Sequence, residues 1–169
     1  ANASKHSAMS HGHAQKLLEQ LELEVKELVK KAEEADASGK SPAVNLSAEI
    51  ARREQRKAKI REAVAAIEER NRQKVDEKKR AFEAKKQERQ ARRDQGGKVA
   101  GPEPREPDDK VDPSAQYNFT DPESRIMKSG TGKHFEQCYN AQAGVDTESM
   151  LIVGNYITPH ANDKQELLP

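Results

Sequence analysis

The sequence has no Trp and one Cys, and aromatic residues make up only 4% of its 169 positions. Hydrophobic residues reach 33%, against 35% charged. So little apolar material cannot offset the ordering entropy of one large core. A charged helical region joined to a small β module fits the composition better. The single Cys138 excludes an internal disulfide and suits a reducing compartment. No charged segment leads into an apolar stretch, as a signal peptide would require, and no apolar run is long enough to span a bilayer. A cytoplasmic chain without membrane contact is therefore expected. Formal charge is only +1, so any preference for anionic partners must be local. The chain opens at Ala1 without an initiator Met and stops at Leu167-Leu168-Pro169, where a helical pattern is starting. Both ends read as cut.

What is present, above all, is helix. Residues 1–10 are small, polar and mildly basic, and read as an extended lead-in, with Ser10 as an N-cap. From His13 to Asp36, steps of three and four place Ala14, Leu17, Leu18, Leu21, Val25, Leu28, Val29 and Ala32 in one stripe. Glu22–Lys26 and Glu27–Lys31 are spaced to pair along the opposite face. Gly39 and Pro42 stop this helix. A second starts near Ser47, read as its N-cap, with Glu49 in the first turn. Its stripe is Ile50, Ile60, Val64, Ile67, Val75 and Phe82, and no Gly or Pro interrupts it before Gly96. Unbroken, it would run ~70 Å at ~1.5 Å per residue. The helices should pack as an antiparallel hairpin, Leu17, Leu21, Val25 and Leu28 against Ile50, Ile60, Val64 and Ile67. The far end of the second should project into solvent.

Residues 95–116 are dominated by Gly, Pro and charge and read as a mobile linker. The β module spans 117–169. Arg125–Lys128 is a short strand, Ser129–Gly132 a turn, and His134–Asp146 one alternating strand. Met150–Thr158 is apolar on both faces, as in a strand covered on both sides. Asn162 or Asp163 caps a helix that has just begun at Leu167-Leu168.

Three stretches carry a family resemblance: ANASKHSAMS (1–10), TDPESRIM (120–127) and FEQCYNAQAGVD (135–146), followed by NDKQELLP (162–169). In that order they resemble bacterial insertion-sequence transposases of the DDE type, whose ribonuclease-H-like catalytic domain carries a helical insertion. The resemblance implies an α+β chain. A long antiparallel helical hairpin, the insertion (11–94), precedes a small antiparallel β-sheet that is part of an incomplete ribonuclease-H-like fold (117–169). It also implies metal-dependent DNA strand transfer in the intact parent, with three carboxylates holding two Mg²⁺ ions. The family's carboxylates fall on strands outside this stretch, so no catalytic residue is carried over. An internal fragment, inactive alone and with no metal of its own, is expected. Asp146 is the nearest candidate for a metal contact; the plainer role is turn capping.

The remaining motifs are weaker. Gly130-Thr131-Gly132-Lys133 lacks the phosphate-loop Gly at Met127 and the Ser or Thr at His134, and reads as a hairpin turn. Cys138 and His134 share a strand face but have no third group, so Cys138 reads as a buried thiol. His6, His11 and His13 have no completing ligand and read as solvated. Arg72–Arg93 is the one strongly basic stretch. Lys78, Lys79, Arg80, Lys85, Lys86, Arg92 and Arg93 are candidate DNA phosphate contacts. The plainer reading is a solvated helix with internal pairs Glu88–Arg92 and Asp76–Arg80. No interleaved aromatics favour single-strand binding. The alternative to a transposase fragment is a non-enzymatic coiled-coil module for homo-oligomerisation or non-specific DNA docking.

Overall fold

A computed structural model describes residues 3–38, 45–99, 101–128, 134–161 and 166. The helix stop at Gly39 and Pro42, the Ser129–Gly132 turn, the Gly130–Lys133 loop, and the cap and helix after Asn162 lie outside the described residues. The chain is α+β, with two long helices and small antiparallel sheets. A short 3-10 turn (Lys5–Ser7) leads into β1 (Ala8–Ser10), α1 (His11–Ser38) and α2 (Leu46–Asp94). Five strands follow: β2 (Gln116–Asn118), β3 (Arg125–Lys128), β4 (Phe135–Cys138), β5 (Asn140–Val145) and β6 (Ile152–Thr158).

Helix limits follow from their caps. Ser10 Oγ accepts the amide of His13 at 3.4 Å, so α1 begins at His11, two residues before the periodicity suggests. Gly12 belongs to this first turn because the returning chain passes close by: a Cβ there would meet Pro113 Cβ at 3.3 Å. The N-cap of α2 is Asn45, not Ser47; Asn45 Oδ1 accepts the amide of Ala48 at 3.0 Å. Helix α2 runs its full expected course and ends where Gly96, at φ 76°, takes the left-handed conformation.

The hairpin is antiparallel, and its cross-links set the register. His11 meets Glu68 at 3.4 Å, Glu22 meets Arg61 at 2.8 Å, and Glu24 meets Arg53 at 2.9 Å. As numbering rises along α1 it falls along α2. Glu22 thus turns across to α2 instead of pairing along its own helix with Lys26. Between the helices, Ala14, Leu21 and Ile60 are buried, with Leu17, Leu18, Val64 and Met9 packed against them. Ala63, Ile67 and Val75 continue the buried stripe of α2. Lys57 is buried too; its alkyl stem lies inside and its ammonium reaches Glu54 at 3.0 Å. His11 is buried, not solvated as its local sequence suggests, whereas His6 and His13 are exposed.

The lead-in is a strand. β1 pairs antiparallel with β2, from Ala8↔Asn118 to Ser10↔Gln116. The amides of His11 and Gly12 continue the pairing onto Ala115 O and Pro113 O at 2.8 and 3.0 Å. The helices therefore leave and rejoin a single strand pair. β3 pairs with β4, and β5 with β6. The expected single strand 134–146 breaks at Tyr139, because its two halves serve different partners. The expected cover over the last strand is absent among the described residues. Met150, Leu151, Ile152, Val153 and Ile157 are exposed, Val153 by 74%.

Candidate nucleic-acid interface

The basic stretch lies on the half of α2 beyond the hairpin. At ~3.6 residues per turn, Lys78, Lys85 and Arg92 fall on one stripe, with Phe82 and Arg89 between them. Lys79, Lys86 and Arg93 lie one residue round. Arg80 faces away from both rows. All seven candidate side chains are exposed. The helix thus gathers six of the seven on neighbouring stripes and leaves Arg80 apart.

Their partners differ. Arg92 pairs with Glu88 at 2.6 Å, as its spacing suggests. Lys86 Nζ sits 5.9 Å from the centroid of Phe82. Arg93 pairs with Glu103 at 3.0 Å. Among the described residues, Lys78, Lys79, Arg80 and Lys85 make no ion pair, so the expected Asp76–Arg80 pair does not form.

The far half of α2 does not project alone. Residues 101–115 have no helix or strand and run back along it. Gly97 N bonds Arg92 O at 2.9 Å, Arg89 donates to Gly101 O at 3.0 Å, and Asn71 Nδ2 donates to Asp109 O at 3.0 Å. Between helix and returning chain lies a groove of about 810 Å³, lined by Lys78, Phe82, Lys85 and Arg89 on one wall and by Lys98 and Arg105 on the other. Arg89, Lys98 and Arg105 are cations that sequence reasoning missed. Arg89 was within reach, one turn beyond Lys85. Lys98 and Arg105 join only because the chain doubles back, which no local pattern reports. Arg93, by donating a hydrogen bond and by its charge, holds the carboxyl of Glu103 below the usual range.

The other candidates resolve into structural roles. Asp146 caps its turn, accepting from the amide and the hydroxyl of Ser149, and those bonds lower its pKa. His134 pairs with Glu136 at 3.1 Å and not with Cys138. Cys138 is half-buried, and burial raises its thiol pKa. No three His, Cys, Asp or Glu side chains gather as a metal site among the described residues. Nor does any helix there have the length and apolarity to cross a membrane. The two Mg²⁺ ions of the resemblance therefore have no fitting donor set in the described residues.

The chain matches no protein-family model, no curated protein and no solved structure.

Proposed function

We propose that this chain is a segment of a cytoplasmic DDE-type transposase, part of its ribonuclease-H-like domain. On this reading it supplies DNA backbone contact through its helical insertion and transfers no strands by itself. One observation carries the reading: the separate stretches that resemble the family meet in space. Ser4 of the lead-in accepts from Asn118 Nδ2 at 3.0 Å, and its amide lies 3.3 Å from Thr120 Oγ1. β3, from the second stretch, pairs with β4, from the third, in the register Arg125↔Cys138 to Lys128↔Phe135. Tyr139 OH donates to Asp121 across the same two stretches. Asn118 is buried at their junction, its Oδ1 accepting from Thr120 and Asp121. Residues over a hundred positions apart thus form one neighbourhood, with the hairpin inserted between them. The apolar face of β6, bare among the described residues, is a second support, since an exposed patch of that kind belongs against further protein.

The test is binding of a random-sequence DNA duplex over a salt series. Each neutralised phosphate contributes a slope of about −0.9 in log K against log salt. Binding should weaken steeply with salt and fall away when Lys78, Lys79, Arg80, Lys85 and Lys86 become Gln. Binding indifferent to salt, or to those changes, would sink the proposal. The alternative, a coiled-coil oligomerisation module, draws on Leu23 and Val29, which are exposed on α1. Light scattering separates the two: a dimer broken by Leu23→Lys, with no DNA binding, favours the module.

A further inference from the structure

The segment that runs back along α2 is acidic where the helix is basic. Residues 101–110 hold four acidic and two basic side chains, and residues 72–93 hold ten basic and four acidic. Of the four acids in 101–110, Glu103 is the one that, among the described residues, reaches an arginine: its Oε1 lies 3.0 Å from Arg93 Nη2. One turn earlier, Arg89 donates to Gly101 O at 3.0 Å. Both arginines thus satisfy donors on oxygens of the returning segment, an arrangement that also suits consecutive phosphates of a nucleic-acid backbone. Lys78 and Lys85 line the same groove without an ion pair among the described residues.

We infer that Arg89 and Arg93 form a phosphate site for a DNA backbone, and that Glu103 occupies it in the free chain as an internal competitor. The inference rests on the DNA-contact reading above and adds its regulation. The segment is built to leave. It has no helix or strand to unravel. Pro102, Pro104 and Pro107 lack amide donors and hold it extended, so little hydrogen bonding is lost on release. The Arg93–Glu103 pair is exposed on both sides, and exposed pairs hold weakly. A phosphate chain engaging Arg89, Arg93 and Lys85 together would displace one carboxylate. Asn71, bonded to Asp109 O, would keep the base of the segment in place.

The experiment compares two substitutions of equal charge in the full chain. Glu103→Gln removes the competitor. Glu106→Gln removes an exposed carboxylate that makes no ion pair among the described residues. Affinity for a labelled random-sequence duplex is read by fluorescence anisotropy at low salt, with circular dichroism melts to verify folding. Glu103→Gln should tighten binding roughly two- to five-fold, the worth of one exposed ion pair. Glu106→Gln should do clearly less. In an Arg93→Gln background the advantage of Glu103→Gln should vanish. Equal gains from the two Gln variants, or a loss with Glu103→Gln, would overturn the competitor while leaving the DNA-contact reading standing. No binding by any variant, including the wild type, would overturn both.

Discussion

The guanidinium of Arg70 donates to the carbonyl oxygen of Pro122 at 2.7 Å, fastening the middle of α2 to the turn that precedes β3. It also reaches Gln116 O at 3.3 Å and lies 5.5 Å from the centre of the Tyr117 ring. Burial draws its pKa below the usual arginine range, and nearby Arg125 adds to that effect. The side chain stands where hairpin ends and β module begins, so it sets how one meets the other.

Arg70→Met keeps the aliphatic stem and removes every donor. The expected loss is ~1–2 kcal/mol, the low end for hydrogen bonds from a charged group because this one is partly exposed. Helicity should persist while amide exchange quickens across residues 116–126. Unchanged exchange there would show that β2 and the turn are held by other contacts.

Ile60 is 2% exposed at the centre of the seam, whereas Leu23 is 61% exposed on the same hairpin. Ile60→Ala should cost ~2–5 kcal/mol by lost burial and a residual cavity. Leu23→Ala should fall within about 0.5 kcal/mol of the parent. Urea denaturation followed at a helical wavelength measures both. Equal effects at the two sites would mean the seam faces elsewhere.

Tyr139 donates to Asp121, and this bond with the charge behind it pushes the phenol from 10.0 up to about 12. A raised folded-state pKa gives stability that is complete below the unfolded value of 10.0 and is lost as pH rises through about 12. In an absorbance titration Tyr139 should ionise late, and Tyr139→Phe should remove that late component. The stability difference between Tyr139→Phe and parent should close over the same window. A titration with no late phase would show that the Asp121 bond does not persist in solution.

Local physics made the helices legible. Leu17, Leu21 and Val25 repeat at helical spacing on α1, as do Ile60, Val64 and Ile67 on α2, and the absence of Gly or Pro before Gly96 fixes the length of α2. Pairing partners are not local, and there the sequence misleads. Alternation through 134–146 looks like one strand, but alternation cannot say that Glu136 faces Met127 while Gln142 faces Tyr156. Residues 8–10 carry too few positions to show a period, so their pairing with 116–118 had no signal. The candidate interface was half legible: Lys78, Lys85 and Arg92 stand in the sequence as clusters. Glu103 joins them only through the return of the chain.

The pairing of β1 with β2 also bears on the order in which the chain folds. Those three-residue strands enclose residues 11–115. Closing a flexible loop of that length costs about 4 kcal/mol in chain entropy, more than so short a ladder returns. Packing α1 on α2 first sets Glu68 beside His11 and shortens the closure to the out-and-back run 69–115, much of it held as helix. The strand pair is then a late event that reports on the helices. A lesion at Ile60 should slow the appearance of β1–β2 pairing, although neither strand contains the changed residue.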